Sequence, residues 1–170
     1  IKEIVAYAKK LNITIVPEIE ILTHSSAAIA SYPQLGTTKK QIEVECRMGV
    51  FSEIIDVSDD FAIQFMHDVL DEVMALFPSR YMHLGGDEAT KTNWEKCPLC
   101  QQRIKKEHLA NEEDLQGYFM KRMSDYVRSK GREVIGWDEL TNSSFLPEGV
   151  IIQGWRGLGT AALKAAEKGH

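Results

Sequence analysis

The chain has 170 residues, 44 % of them hydrophobic and 26 % charged, with a formal net charge of −5. This balance fits one soluble globular unit and excludes a disordered or fibrous segment. It offers no basic footprint for nucleic acid or an anionic membrane, and no apolar run approaches the roughly 20 residues of a membrane helix.

Ile1, Ile4, Val5, Ala8 and Leu11 follow helical spacing. The segment mixes lysines and acids, so it does not read as a signal peptide. With no initiating Met, the numbering is expected to begin inside a longer gene product. Ile13 to Ile19 is β-branched and reads as a buried strand, with Pro17 tolerated near its end. Ser25 to Tyr32 reads as a short helix and Pro33 to Val57 as a long loop. Ser58 is placed to cap a helix whose first turn carries Asp59 and Asp60. Phe61, Phe65, Met66, Val69, Leu70, Val73, Met74 and Phe77 predict its apolar face, and Pro78 its end.

Tyr81 to Leu84 reads as a second strand, closed by Gly85-Gly86. Asn111 is placed to cap a long helix bearing Leu115, Tyr118, Phe119, Met123, Tyr126 and Val127, with Gly131 ending it in the left-handed conformation. Glu133 to Gly136 and Val150 to Gln153 read as further strands, and Thr160 to Lys168 as a small-residue helix. Helix and strand in alternation argue for an α/β fold with a parallel sheet. Glu18, Glu20 and His24, then Asp87 and Glu88, then Trp137 and Asp138, then Trp155 fall at successive strand ends. Polar and aromatic residues gathered there point to a (β/α) barrel, and no glycine-rich phosphate turn supports a dinucleotide fold. Four strands are only part of a barrel, which needs eight.

Adjacent strand residues face opposite ways, so Asp87 and Glu88 share a site only if the chain bends. Gly85-Gly86 permits that bend. Carboxylates brought close repel, so one pKa is expected to rise, as a general acid at neutral pH requires. Cys97-Pro98-Leu99-Cys100 has the spacing of a zinc or redox pair. Only Cys46 and His108 are nearby as further ligands, and the pair does not clearly open a helix after a strand, so a surface loop is expected there.

His83-Leu84-Gly85-Gly86-Asp87-Glu88 is similar to the H-x-G-G-D-E signature of glycoside hydrolase family 20, the β-N-acetylhexosaminidases. Val16 to His24 with Tyr32 to Gly36 resembles that family's third-strand segment. Asp71 to Pro78, Trp94 to Cys100 and Leu115-Gln116 resemble the elements around the acid pair. Gly136 to Glu139 and Gln153 to Gly157 resemble the next two strand ends.

The resemblance implies a partial TIM (β/α)8 barrel of about strands three to six, with residues 1–170 a central fragment of one catalytic domain. It implies hydrolysis of terminal non-reducing GlcNAc or GalNAc from β-glycosides with retention, through an oxazolinium intermediate formed by the substrate's own acetamido group. Glu88 would be the general acid and base and Asp87 the acceptor of the acetamido N–H; His24, Trp137 and Trp155 would contact substrate. No cofactor or metal is implied, and the partner would be an N-acetylhexosamine-containing oligosaccharide or glycoconjugate. The compartment would be secreted, periplasmic or lysosomal.

Where the family has Asp-x-Pro-Gly-His, this chain has Glu20-Ile21-Leu22-Thr23-His24, which alters the backbone before His24. The family's sugar-clamping residues on other strands would lie outside residues 1–170, so this segment alone is expected to hydrolyse little. Two rival readings are a metal-dependent barrel hydrolase using His24, His83, Asp87, Glu88 and Asp138, and a degenerate carbohydrate-binding relative.

Overall fold

A computed structural model describes residues 1–157 and 159–170 of the chain. Helix α1 spans Lys2–Lys10 and α2 Ser26–Ser31, followed by a 3-10 turn at Pro33–Leu35. Helix α3 spans Asp60–Leu76 and strand β1 Tyr81–His83. Helices α4 (Thr92–Lys96), α5 (Pro98–Lys106) and α6 (Glu112–Ser129) lead to β2 (Glu133–Trp137). A 3-10 segment, Asp138–Asn142, precedes β3 (Ile151–Gln153) and α7 (Thr160–Glu167).

The three strands run parallel in the order β1-β2-β3, with Met82 opposite Val134 and Gly136 opposite Ile152. The expected first strand does not form as one. Glu18 makes a single parallel bridge to His83, through Ile19 N–H donating to His83 O at 2.9 Å and His83 N–H donating to Pro17 O at 3.0 Å. Ile13 and Val16 are exposed, not buried. Two causes act together: Pro17 has no N–H to give a ladder, and the outer edge of this segment has no neighbouring strand among the described residues. Parallel strands alternating with helices form the α/β, partial-barrel arrangement that the sequence pattern predicts.

Helix α3 is capped by Asp59, whose Oδ1 accepts the Phe61 N–H at 2.9 Å. Ser58 instead is buried and turns its hydroxyl to Asp56. The buried face of α3 is Ala62, Ile63, Met66, Leu70 and Met74, one position round from the predicted stripe, which leaves Phe61 exposed. Helix α6 begins as predicted, with Asn111 accepting the Asp114 N–H at 3.1 Å, and Gly131 follows its end at φ +75°.

The core joins these helices to the sheet through Leu70, Met82, Leu84, Trp94, Leu115, Phe119 and Met120, all at or near zero exposure. Each such side chain contributes about 1.5–3 kcal/mol on burial. The indole N–H of Trp94 donates to Ile55 O at 2.9 Å, which removes the cost of burying it. The Cys97–Cys100 segment is not a surface loop. Cys97 caps α5, Pro98 takes the first helical position, and both cysteines are buried.

Candidate active site

The site lies where β1 and β2 end. After His83, the chain passes through Gly85 at φ +68°, Gly86 at φ +107° and Glu88 at φ +52°. The first two conformations favour glycine. The third strains a non-glycine residue and costs on the order of 1–3 kcal/mol, which packing around it must offset. Gln116, buried in α6, donates its amide N–H to Gly86 O at 2.7 Å and fixes the bend.

This bend brings Asp87 and Glu88 to one place. His24 Nε2 stands 3.3 Å from Asp87 Oδ2 and 3.5 Å from Glu88 Oε2, and one atom from each of the three groups fits within 4.8 Å. His24 reaches them from a left-handed backbone, φ +49°. Asp87 Oδ1 is buried and has no hydrogen-bond partner within the chain.

A third acid, Glu20, adjoins the pair. Burial pushes Glu20 up to about 8, the nearby negative charge of Asp87 adds to that, and the Thr23 hydroxyl opposes it. Its Oε2 accepts from Thr23 Oγ1 at 2.7 Å and from Gly86 N–H at 3.4 Å. At neutral pH a protonated Glu20 therefore sits beside Asp87, where its O–H is a donor.

Trp137 and Trp155 meet edge-on, with ring centroids 6.4 Å apart. A carboxylate orients each indole: Trp137 Nε1 donates to Glu18 Oε1 at 2.7 Å, and Trp155 Nε1 to Glu139 at 3.1 and 3.2 Å. An open cleft of about 430 Å³ runs past Glu88, Gln116, Glu139, Asn142, Trp155 and Arg156. Another cavity, of about 370 Å³, lies at the exposed Ile13–Ile15 edge and contains none of these groups.

His83 lies beneath the site, buried under Trp137 with ring centroids 4.6 Å apart. Burial holds its pKa below the usual value, against the carboxylates of Glu18 and Asp87, so it stays neutral and its Nδ1 accepts the Gly85 N–H at 3.1 Å. Asp138 is fully buried and pairs with Arg156 Nε at 3.1 Å. The five-residue metal site is therefore not assembled: His24, Asp87 and Glu88 meet, while His83 and Asp138 face other partners. Among the described residues, the other group with metal-ligand spacing is Asp56, Cys97 and Cys100.

Residues 1–170 match the family profile described as glycosyl hydrolase family 20, catalytic domain. The chain belongs to glycosyl hydrolase family 20. A β-hexosaminidase of Porphyromonas gingivalis is 38 % identical over 157 residues, which are 92 % of this chain and 20 % of that protein. The crystal structure of a β-N-acetylhexosaminidase from Bacteroides fragilis superposes with a TM-score of 0.87 at 42 % identity, covering 98 % of this chain and 33 % of that one. A family 20 exo-β-N-acetylglucosaminidase from Vibrio harveyi, solved with N-acetylglucosamine, gives 0.84 at 32 % identity over 99 % of this chain and 26 % of that one. The chain thus spans between a fifth and a third of these family 20 relatives.

Sequence reasoning places Glu18, Glu20 and Glu139 at strand ends without giving them a role: Glu20 lies beside Asp87, and Glu18 and Glu139 hold the indoles. Position at a strand end was their only signal, and it is shared with many solvated acids.

Proposed function

We propose that the protein carrying this chain removes terminal non-reducing N-acetylhexosamine residues from β-linked oligosaccharides or glycoconjugates, with retention at the anomeric carbon. Residues 1–170 would then form the central part of one catalytic barrel, about strands three to six. The observation that carries this reading is the convergence of His24, Asp87 and Glu88 at the Gly85-Gly86 bend, beside two indoles with satisfied N–H groups.

Glu88 is the general acid that protonates the glycosidic oxygen and then the base that activates water. The substrate's acetamido oxygen is the nucleophile, attacking the anomeric carbon as the glycosidic bond breaks and forming an oxazolinium ion. Asp87 accepts the acetamido N–H and stabilises the positive charge that spreads onto that group. Water then opens the oxazolinium, and the anomeric configuration is restored. His24 orients both carboxylates, and Trp137 and Trp155 supply an apolar wall for the sugar ring and acetamido methyl. The agreement with the Vibrio harveyi relative, which binds N-acetylglucosamine, supports a hexosamine substrate.

The test is Glu88→Gln and Asp87→Asn in the whole protein. Glu88→Gln is expected to lower kcat by about 10²–10⁴-fold on alkyl or sugar leaving groups, and less on activated aryl leaving groups that need no proton. Asp87→Asn is expected to lower turnover of acetamido substrates. Unchanged turnover in both variants would contradict the proposal.

A further inference from the structure

The Cys-x-x-Cys segment has no part in the chemistry above, yet the fold spends a buried acid on it. Cys97 caps α5 and its Sγ accepts the Cys100 N–H at 3.4 Å. Cys100 Sγ lies 3.5 Å from Asp56 Oδ1 and 3.7 Å from Ser58 Oγ. Asp56 is fully buried, and its Oδ2 is 3.0 Å from Lys39 Nζ. The two sulfurs and a carboxylate oxygen all lie within 4.8 Å of one another.

We propose that Asp56, Cys97 and Cys100 form a structural site for a thiophilic divalent cation of the zinc type, with buried Ser58, whose hydroxyl bonds to Asp56, packed on its fourth side. Size supports this. With Zn–S of about 2.3 Å and Zn–O of about 2.0 Å, the sulfur–oxygen edge of a tetrahedron is about 3.5 Å, which the Cys100–Asp56 separation matches.

Charge supports it too. Two thiolates and a carboxylate carry three negative charges; a divalent cation cancels two, and the third faces the Lys39 ammonium, which Asp59 shares at 2.6 Å. Two sulfur ligands select against magnesium and calcium. An outer layer is already in place: the Cys100 N–H on Cys97 Sγ, Lys39 on Asp56, and Arg103 Nη2 donating to Ser58 O at 3.1 Å. The cation would tie the segment before α3 to the start of α5, and the burial of all three ligands leaves no open position for substrate.

The test needs no assay of turnover. The whole protein is purified without chelators or a histidine tag, and its zinc content, its thiols under denaturation and the spectrum of its Co²⁺ form are measured. One equivalent of zinc is expected, with a thiolate-to-cobalt charge-transfer band that is lost in the Cys97→Ser, Cys100→Ser double variant. Cys97 and Cys100 both found as free thiols, with no bound zinc or cobalt, would overturn the site and leave two structural cysteines beside an ion pair. A Cys97–Cys100 disulfide that stays metal-free after reduction would overturn it as well. If the double variant fails to fold, Asp56→Asn, which keeps the shape and both sulfurs, decides. It is expected to weaken zinc at least about tenfold against a competing chelator, and unchanged affinity there removes Asp56 from the site.

Discussion

Gly85 and Glu20 occupy complementary halves of one space: a Cβ on residue 85 would lie 2.1 Å from Glu20 Oε2. The carboxyl fits against the bend only because the bend has no side chain there. Gly85→Ala meets this clash and also a φ of +68°. It is expected to cost about 1–3 kcal/mol from backbone strain and to lower kcat by displacing Asp87 and Glu88. A denaturant midpoint and a turnover rate equal to those of the parent would contradict the account.

Glu20 gives a pH dependence with a definite sign. Its folded pKa, about 8, lies above the ordinary 4.5. Below 4.5 both folded and unfolded chains are protonated, and the group has no effect on stability. From 4.5 to about 8 the unfolded chain releases its proton and the fold retains it, so rising pH favours unfolding; above that the penalty is constant. Glu20→Gln keeps the neutral form throughout, so its melting temperature is expected to fall less than the parent's across that window. Above pH 8 the parent also gains a negative charge beside Asp87. Turnover that falls through about pH 8 in the parent but stays flat in Glu20→Gln is the expected profile.

The two indoles differ in how deeply they belong to the fold. Trp155 is half exposed, whereas Trp137 packs on buried His83. Trp155→Ala is expected to raise KM about three- to tenfold, the worth of an aromatic contact, with the melting temperature little changed. Trp137→Ala should lower both substrate affinity and stability. Thermal melts and KM values on one substrate check this, and equal losses of stability in the two variants would refute the distinction.

Asn111 caps the helix that carries Gln116 and touches none of the site side chains. Its side chain holds the first turn of α6 through the Asp114 N–H. Asn111→Ala is expected to cost about 1 kcal/mol of stability and to leave KM unchanged, as read from a denaturation curve and a saturation curve.

The long helices were legible in the sequence because their signals are local. Asn111 and Gly131 bracket α6, and apolar spacing marks α3. Even so, the cap of α3 fell on Asp59 because Asp56 draws the Ser58 hydroxyl inward, a contact no local pattern encodes. Helix α5 was missed because Pro98 and two cysteines look like a turn, and only their burial against Asp56 shows the first turn of a helix. The extended segment before Glu20 has strand composition, yet it meets β1 only at the Glu18–His83 bridge, and composition does not reveal how far a ladder runs. At the site, Gly85-Gly86-Asp87-Glu88 announced a bend, and its neighbours were hidden. Glu20 lies 66 residues from Gly86, and Glu18 lies 119 residues from the indole it orients.

The contact between Gln116 and Gly86 gives the outer layer of helices a direct line to the acid pair. A primary amide near the start of α6 is tied at 2.7 Å to the carbonyl just ahead of Asp87. Any sideways or rotational drift of that helix would drag the peptide plane from which both carboxylates hang. Repacking the far side of α6, in contact with no sugar, would therefore register first as a loss of catalytic alignment, before the fold itself loosened.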